Sequence, residues 1–268
     1  MSSVSHRLVE QLATAYLRGE RLVLVFDYDG TLAPFAARPN LAHLSPELRA
    51  LLAGLAAMPR LAVGVVSGRG LDDLMAMVGV PGLYFGGTFG LELDLRGERI
   101  VPAELSQPRQ LMRDLFAAME ARLPLYPGAW VEKKQLGLTI HYRQLRSDRI
   151  EALRAELFAL LEPHAAVARI YEAPLALEVL PAIGVDKGTA LQAIVAHHHS
   201  DRPALVLYAG DAANDAAALT VASKLGGIAV GIGPEPPPEA VYHLSDYRVL
   251  TAFLTELASV LTSIRRIA

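Results

Sequence analysis

A buried strand that ends at two aspartates constrains this chain more than any other feature. Residues 22–26 form an uninterrupted apolar run, which is typical of a strand buried on both faces of a parallel sheet. Asp27 and Asp29 follow at once, before Gly30. Ligands of open α/β sheets bind beyond the carboxyl ends of the strands, and Mg²⁺ would relieve the repulsion between two close carboxylates. The run therefore predicts a ligand site there, the alternative being an aspartate-rich turn that only caps the strand.

Composition restricts the classes of function. The 268-residue chain has no cysteine, which excludes disulfides, thiolate metal sites and cysteine nucleophiles. Its formal net charge is −3 with both signs spread along the sequence, so nothing indicates a nucleic-acid-binding surface. Residues 1–20 lack the apolar core of a signal peptide, and no apolar stretch could span a membrane. We expect a cytoplasmic protein without membrane or nucleic-acid partners; the sequence does not determine its oligomeric state, although a monomer is favoured.

The first part of the chain alternates helices with apolar strands. Ser45 is a good N-cap residue and Pro46 suits the first helical position, so a helix is predicted over residues 46–58. A second buried strand is predicted over residues 61–66, and it ends at Ser67. The other elements predicted here are helices over 4–17 and 71–78, a short strand over 82–85, and a hairpin over 91–101 that turns at Arg96 and Gly97.

The alternation changes near residue 102, where two repeats of helix, strand, strand begin. The predicted helices cover 108–123 and 148–161, and the antiparallel pairs join 130–133 to 137–142 and 167–171 to 175–180. Two helices on one face of a four-stranded sheet leave the other face free, which suits a lid.

The first pattern resumes after residue 182. Its predicted elements are helices over 186–199, 214–222 and 247–264, and strands over 204–208 and 227–230. The sequence therefore predicts an α/β fold with a doubly wound parallel-sheet (Rossmann-like) core, residues 1–101 and 183–268, and an inserted α+β lid, residues 102–182.

Polar residues from several strand ends converge on one edge of this predicted core. They are Asp27 and Asp29, Ser67, Lys187 at a helix start, and Asp211 with Asn214 and Asp215. One carboxylate can attack phosphorus and form an acyl phosphate, while a second protonates the leaving oxygen and later activates water. Mg²⁺ and a lysine can neutralise the transferring group, and a hydroxyl with backbone N–H groups can hold its oxygens. The set therefore suits phosphoryl transfer.

The same residues carry a resemblance to a known superfamily. The motifs are Asp27-x-Asp29-Gly30-Thr31, Ser67-Gly68-Arg69, Lys187-Gly188 and Gly210-Asp211-x-x-Asn214-Asp215. In order and spacing they resemble the haloacid dehalogenase superfamily of aspartyl phosphotransferases. The resemblance implies that Asp27 is the nucleophile and Asp29 the acid and base. It also implies phosphate binding by Thr31, Ser67, Gly68 and Lys187, and Mg²⁺ binding by Asp27, the Asp29 carbonyl and Asp211 with Asp215 close behind. Arg69 and Asn214 are expected to support the site: Arg69 follows the Ser67 strand end, where it caps the next helix or contacts the phosphate or the lid.

A narrower resemblance points to the trehalose-6-phosphate phosphatase family. It rests on Asp27-Tyr28-Asp29-Gly30-Thr31-Leu32-Ala33-Pro34, Trp130-Val131-Glu132-x-Lys134, Leu138-Thr139-Ile140-His141-Tyr142-Arg143, Leu177-Glu178-Val179 and Asp186-Lys187-Gly188. It implies that Lys134 and Glu178 of the lid hold sugar hydroxyls, with support from His141 and Arg143. The implied reaction is Mg²⁺-dependent hydrolysis of trehalose 6-phosphate through an aspartyl-phosphate intermediate.

Some positions depart from that family's pattern. The family usually has Gly-x-His-Gly where this chain has Gly87-Thr88-Phe89-Gly90, and an arginine where Leu180 stands. The family commonly has an acidic residue at the position of Lys133, and its counterpart of the motif at residues 210–215 usually contains more acidic residues. These departures leave open a phosphatase of another sugar or cyclitol phosphate, including modified disaccharide phosphates, and, from another class, a non-catalytic binding protein on the same fold.

Two clusters of like residues have simpler interpretations. His197, His198 and His199 would diverge by about 100° from one to the next on a helix, so a solvated helix end is expected rather than a metal site. Lys133 and Lys134 would face opposite sides of a strand, so at most one of them serves the site directly.

Overall fold

A computed structural model describes residues 3–34, 41–101, 106–173, 175–198 and 203–267. The chain divides into two compact units, Met1–Ile100 with Val185–Ala268, and Val101–Gly184. The predicted lid boundary at residue 102, and His199 of the histidine run, lie outside the described residues. None of the helices in the described part of the chain is both long and apolar enough to span a membrane.

The helices and strands follow in chain order. The first segment of the larger unit contains α1 (Ser3–Leu17), β1 (Arg21–Phe26), α2 (Pro46–Ala56), β2 (Leu61–Val66), α3 (Leu71–Val78), β3 (Tyr84–Gly87), β4 (Glu92–Leu95) and β5 (Glu98–Ile100). The smaller unit contains α4 (Ser106–Arg122), β6 (Trp130–Lys133), β7 (Leu138–His141), α5 (Ser147–Leu161), β8 (Ala168–Ala173) and β9 (Ala176–Pro181). The second segment of the larger unit contains α6 (Lys187–His197), β10 (Ala204–Gly210), α7 (Ala216–Lys224), β11 (Ile228–Ile232), β12 (Tyr242–Leu244) and α8 (Tyr247–Ile267).

The larger unit is a doubly wound sheet, as predicted. Its strand order is β12-β11-β10-β1-β2-β3-β4-β5, parallel from β12 to β3 and antiparallel beyond. Alternate residues of β1 enter opposite apolar layers: Leu24 belongs to the layer of α1, α2, α3 and α8, and Val25 to the layer of α6 and α7. Phe26 pairs with Ala209 and Val65 in the register, so the carboxyl ends of β10, β1 and β2 lie side by side.

Local signals account for several boundaries. The side chain of Ser45 accepts a hydrogen bond from the backbone N–H of Leu48 at 3.1 Å, so the predicted N-cap of α2 is confirmed. Arg96 and Gly97 both have positive φ, 59° and 99°, in the tight turn of the β4–β5 hairpin.

Other boundaries differ from the prediction. β3 begins at Tyr84 rather than at residue 82, because Gly82 has a φ of +78° and belongs to the preceding turn. The short strand β12 was not predicted, and it pairs in parallel at the edge of the sheet next to β11. α6 begins at Lys187, since Asp186 is its N-cap, with the backbone N–H of Thr189 donating to the Asp186 carboxylate at 2.9 Å.

The smaller unit is a four-stranded antiparallel sheet with α4 and α5 on one face. Its strand order is β6-β7-β9-β8, and its apolar core joins both helices to Leu138, Ile140, Leu177 and Val179. Because side chains alternate along a strand, the neighbours of these residues line the opposite face. That opposite face presents Trp130, Glu132, Thr139, His141, Tyr171, Glu178 and Leu180.

Candidate active site

A buried ion-pair cluster lies at the carboxyl ends of β1 and β10. Asp27 directly follows β1, is 4% exposed, and extends the strand ladder through its N–H to the carbonyl of Ala209 at 2.9 Å. Lys187, the first residue of α6, is buried and donates from Nζ to Oδ1 of Asp27 at 2.6 Å and to Oδ1 of Asp215 at 2.7 Å. The structure thus brings together the predicted nucleophile and the predicted phosphate-binding lysine.

Asp215 is the most heavily hydrogen-bonded carboxylate of this cluster. Besides Lys187, its Oδ1 accepts the hydroxyl of Tyr208 at 2.7 Å, and its Oδ2 accepts the backbone N–H groups of Asp211 and Ala212 at 3.1 and 3.0 Å. Four donors on one carboxylate favour a role in holding Lys187 and the loop that carries Asp211.

Burial and like charge perturb the pKa values of the cluster. Burial raises the pKa of Asp27 well above its ordinary value; Lys187 opposes this shift, and the carboxylates of Asp215 and Asp211 add to it. Burial, together with Asp215, raises the pKa of Asp211 to about 6. Although burial lowers the pKa of Lys187, the carboxylates of Asp215 and Asp27 raise it above its ordinary value. The cluster therefore holds more negative charge than one ammonium group balances.

The donor set fits a hard divalent cation. Carboxylate oxygens of Asp27, Asp211 and Asp215 lie within 4.8 Å of one another. Oxygen ligands of this kind suit Mg²⁺, and a cation would relieve the repulsion among the buried carboxylates. Because Asp215 is already committed to four donors, Asp27 and Asp211 have the better-placed oxygens for a direct metal contact. Asn214, of the predicted supporting pair, is exposed on a 3₁₀ helix, Ala213–Asp215.

Three of the predicted phosphate-binding residues follow the ends of β1 and β2. Ser67 and Thr31 are buried, and Thr31 donates to Oδ1 of Asp211 at 3.4 Å. Gly68 approaches the ring of Phe89 so closely that a Cβ atom there would lie 2.6 Å from Phe89 Cζ. Only glycine fits this position without displacing the ring.

A strained loop supports that end of β2. Thr88 and Phe89 both adopt positive φ, 48° and 59°, a conformation that L residues rarely adopt. Their backbone N–H groups donate to the carbonyls of Arg69 and Ser67 at 2.6 and 2.9 Å, and the Thr88 hydroxyl donates to Glu92 at 2.9 Å. These bonds hold the strained backbone against the predicted phosphate loop, which places Phe89 beside Gly68.

The side chain of Asp29 has a different partner from that of Asp27. Arg69 donates from Nε to Oδ2 of Asp29 at 2.8 Å and from Nη2 to Oδ1 at 2.7 Å. The Nη1 atom of Arg69 contacts Asp73 at 3.2 Å. The predicted acid and base is therefore held by a two-point guanidinium contact that the sequence did not indicate.

In the smaller unit, the face opposite the helices carries an ion pair and a histidine–carboxylate contact. Lys134 donates from Nζ to Glu178 Oε2 at 3.0 Å, and both side chains are largely buried. His141 and Glu132 lie 2.8 Å apart, and the indole of Trp130 stacks on the His141 ring at 4.0 Å between centroids.

Two further cationic residues, Lys133 and Arg143, lie on or next to β6 and β7. Lys133 lies over the ring of Phe116 on α4, with 5.5 Å from Nζ to the ring centroid, so the two neighbouring lysines do take opposite faces. Arg143 follows β7 and is exposed. Glu132 was part of a motif but had no assigned role, and its strand register opposite Thr139, next to His141, is the signal that pairs it with His141.

Tyr208 is a functional candidate that sequence reasoning missed. It lies in an apolar strand, where a tyrosine is usually interpreted as a residue of the hydrophobic core, and its side chain is fully buried. Its position three residues before Asp211 was the available signal, because it brings the hydroxyl to the same strand end.

Comparison with known proteins gives consistent results. A family model described as trehalose-phosphatase matches residues 25–240. A trehalose-phosphate phosphatase of Mycobacterium tuberculosis is 31% identical over 239 residues, covering 87% of this chain and 57% of that protein. A protein of Oryza sativa subsp. japonica named probable trehalose-phosphate phosphatase 9 is 30% identical over 277 residues, covering 93% and 73%. The chain thus spans little more than half of its mycobacterial relative.

A solved structure shows the same fold. The C-terminal domain of the C. albicans trehalose-6-phosphate phosphatase has a TM-score of 0.79 against this chain, at 22% identity, and the match covers 93% of this chain and 96% of that one. At this level of identity the likeness shows the fold.

Proposed function

The chain belongs to the trehalose-phosphatase family, and on that premise we propose that it is an Mg²⁺-dependent phosphatase of the haloacid dehalogenase superfamily that hydrolyses trehalose 6-phosphate to trehalose and phosphate. The observation that carries this proposal is the buried contact of 2.6 Å between Lys187 and Asp27, beside the carboxylate of Asp211. It combines a nucleophile, a cation for the phosphoryl group and oxygen ligands for a metal.

The proposed chemistry assigns one task to each group. Asp27 attacks phosphorus through a carboxylate oxygen, and an aspartyl phosphate forms as the sugar oxygen leaves. Asp29 gives a proton to that oxygen and later takes one from the attacking water. When bound, Mg²⁺ supplies charge neutralisation to the transferring group. It would be held by Asp27, Asp211 and the Asp29 carbonyl, with Asp215 close behind.

The phosphate oxygens have their own proposed partners in the larger unit. They are Ser67 and the backbone N–H of Gly68 after β2, Thr31 in the turn after β1, and Lys187, which reaches Asp27 from the start of α6. Because these groups lie at a buried strand end, their electrostatic effect on the phosphoryl group is stronger than in water.

The inserted α+β unit, predicted over residues 102–182, is proposed as the lid that recognises the sugar. Lys134 and Glu178 are a donor and an acceptor 3.0 Å apart, a spacing suited to neighbouring sugar hydroxyls. His141, paired with Glu132, and Arg143 are proposed to support them.

Phosphate release from a panel of esters tests this function. We expect kcat/KM for trehalose 6-phosphate to exceed that for glucose 6-phosphate by at least about tenfold, or about 1.4 kcal/mol of transition-state stabilisation through the second ring. EDTA should abolish the activity and Mg²⁺ restore it, whereas Ca²⁺, which takes more ligands at longer distances, should not. Equal efficiency with both sugars would rule out the disaccharide as the preferred substrate.

One observation favours a second candidate, a phosphatase of a different sugar or cyclitol phosphate. Leu180 shares a sheet face with Glu178, and Phe89 covers Gly68, so two positions that could read hydroxyls are apolar. A higher kcat/KM for another member of the panel would select this candidate. A protein that binds a sugar phosphate but releases no phosphate from any ester would instead support a non-catalytic role.

A further inference from the structure

We propose that Arg69 is a positioning residue that orients the carboxyl group of Asp29 for proton transfer to the leaving oxygen, an inference that rests on the proposed function. The two nitrogens Nε and Nη2 of Arg69 lie 2.8 and 2.7 Å from the two oxygens of Asp29. A planar guanidinium that meets both oxygens fixes the plane of the carboxyl group as well as its position.

Arg69 is itself held firmly enough to serve as a reference point. Its side chain is 7% exposed, its Nη1 lies 3.2 Å from Asp73 Oδ2, and its guanidinium carbon lies 5.1 Å from the centre of the Tyr28 ring. Its backbone N–H donates to Ser67 Oγ at 3.2 Å, and its carbonyl accepts the N–H of Thr88 at 2.6 Å. The arginine is thus anchored through side chain and backbone to the end of β2 and the start of α3.

The backbone of Asp29 is also fixed, by the turn that follows β1. Gly30 adopts a φ of +89° and donates to the carbonyl of Ala33 at 2.7 Å, while Ala33 donates to the carbonyl of Tyr28 at 2.9 Å. The side chain of Asp29 remains 31% exposed, so the turn alone leaves its carboxyl group free to rotate towards water. The contact with Arg69 removes that freedom.

Orientation matters because one proton must move in a defined direction. As the bond from an Asp27 oxygen to phosphorus forms, the bond from phosphorus to the sugar oxygen breaks, and the proton of Asp29 passes to that oxygen. A carboxyl group that is turned away cannot complete this transfer, and the leaving sugar would depart as a costly alkoxide. A good leaving group, such as 4-nitrophenolate, departs without that proton.

This difference separates positioning from the two other roles open to a buried arginine near a phosphate site. A phosphate-binding arginine would serve every ester equally, since all share the phosphoryl group. A purely structural arginine would also affect all esters alike, through the amount of folded protein. Only an arginine that acts through Asp29 should matter more as the leaving group becomes less acidic.

The experiment compares kcat/KM of wild type and Arg69→Lys for trehalose 6-phosphate, phenyl phosphate and 4-nitrophenyl phosphate. Lysine keeps the positive charge but contacts one oxygen at a time. We expect kcat/KM to fall by about 10²-fold for the sugar ester, by less for the phenyl ester, and by less than about tenfold for the nitrophenyl ester. Guanidinium ion added to Arg69→Ala should restore part of the sugar-ester activity.

The matched control is Arg99→Lys, because Arg99 makes an exposed ion pair with Asp72 at 2.6 Å, outside the site. It should leave all three rates unchanged. Circular dichroism and a thermal melt establish that the variants are folded. If Arg69→Lys does not fold, the same ratio of kcat/KM values is measured for Arg69→Gln. If neither variant folds, neither can retain the wild-type rate for 4-nitrophenyl phosphate, and a structural role for Arg69 replaces the proposal.

The outcomes distinguish this inference from the proposed function. An equal loss for all three esters, or no loss, overturns the positioning role while the phosphatase activity stands. If the wild type hydrolyses both aryl esters but not trehalose 6-phosphate, the proposed substrate is wrong, and the ratio of phenyl to nitrophenyl ester still decides the role of Arg69. A wild type without activity towards any ester overturns both.

Discussion

The phenol of Tyr208 donates a 2.7 Å hydrogen bond to Oδ1 of Asp215, the same oxygen that accepts the ammonium group of Lys187. Both side chains of this hydrogen bond are fully buried. The oxygen thus has one neutral and one charged donor, and the position of Lys187 depends on an Asp215 that the phenol helps to hold. Tyr208 therefore belongs to the support of the candidate site although it is three residues from the nearest predicted ligand.

Tyr208→Phe removes the hydroxyl and leaves the ring. Since a buried hydrogen bond to a charged group contributes about 1.5–3 kcal/mol, we expect a loss of unfolding free energy in that range. We also expect a lower kcat and a higher Mg²⁺ concentration for half-maximal activity, measured by magnesium titration. A variant with normal magnesium dependence and reduced stability alone would mean that the phenol only stabilises the fold.

Tyr16→Phe is the control for that measurement. The Tyr16 hydroxyl, also buried, donates to the carbonyl of Pro59 at 3.0 Å, away from the site. It should lower stability by about 1 kcal/mol and leave the magnesium titration unchanged.

Asp27→Asn is expected to abolish turnover of every ester. The amide keeps the shape of the carboxylate but is a poor nucleophile. Burial raises the pKa of Asp27, so an uncharged group at this position should be tolerated, and Lys187 retains Asp215 as its partner. The melting temperature should therefore change little, which differential scanning fluorimetry can check.

Asp72→Asn serves as its control, because the Asp72 side chain is 69% exposed and forms an ion pair with Arg99 at the surface. This variant should keep full activity. A near-normal rate for Asp27→Asn would assign the nucleophile to another residue.

The sequence predicted the strand ends well because their signals are local. Residues 22–26 and 61–66 are continuous apolar runs, and parallel neighbours must end at the same edge, so the sequence alone places Asp27 and Ser67 together. The Ser45-Pro46 start of α2 was equally readable, since an N-cap acts within three residues.

Side-chain contacts between distant segments could not be read in this way. Arg69 and Asp29 are 40 residues apart, and nothing in either motif specifies that the guanidinium turns towards Asp29 rather than a phosphate. The edge strand β12 has only three residues, too few to show a period-2 pattern in the sequence. It is a strand because it pairs with β11.

His198, expected at a solvated helix end, is instead buried against Arg21 and Tyr84, and it makes stability depend on pH. Its side chain is 7% exposed, and burial, together with Arg21, Arg96 and His197, lowers its pKa to about 4. Nη2 of Arg21 lies 3.0 Å from Nε2 of His198, and the Tyr84 hydroxyl lies 3.4 Å from its Nδ1. A protonated ring would add a cation to this cationic surrounding, so the folded state favours the neutral form.

The sign follows from the two pKa values. An unfolded histidine titrates near pH 6.5, so between about pH 6.5 and 4 the unfolded chain binds the proton that the folded chain excludes. The contribution of His198 is present above pH 6.5 and is lost as the pH falls towards 4, by at most about 3 kcal/mol.

Urea unfolding of wild type and His198→Gln at several pH values measures this contribution. From pH 7.5 to pH 4.5, the unfolding free energy of the wild type should fall more than that of His198→Gln, so the variant becomes relatively more stable at low pH. His43→Gln, at an exposed histidine, should show no such change. Parallel pH profiles for wild type and His198→Gln would refute the assignment.

The last prediction uses the two neighbouring lysines of the smaller unit. Lys134 pairs with Glu178 on the face opposite the helices, whereas Lys133 lies over Phe116 of α4. If Lys134 contacts the sugar, Lys134→Met should lower kcat/KM for trehalose 6-phosphate by about tenfold or more, as expected for one lost charge-assisted hydrogen bond. 4-Nitrophenyl phosphate lacks that sugar, so its kcat/KM should change much less.

Lys133→Met is the matched control, since it removes the same charge one residue away and exchanges an ammonium group near an aromatic ring for an apolar side chain of similar length. It should leave the ratio of the two substrates unchanged. Because Lys134→Met leaves the largely buried carboxylate of Glu178 without its lysine, a melt of each variant should accompany the kinetics. Sugar recognition would lie outside the Lys134–Glu178 pair if Lys134→Met lowered kcat/KM equally for the sugar and aryl esters. The same conclusion would follow if Lys134→Met and Lys133→Met changed the ratio of the two kcat/KM values equally.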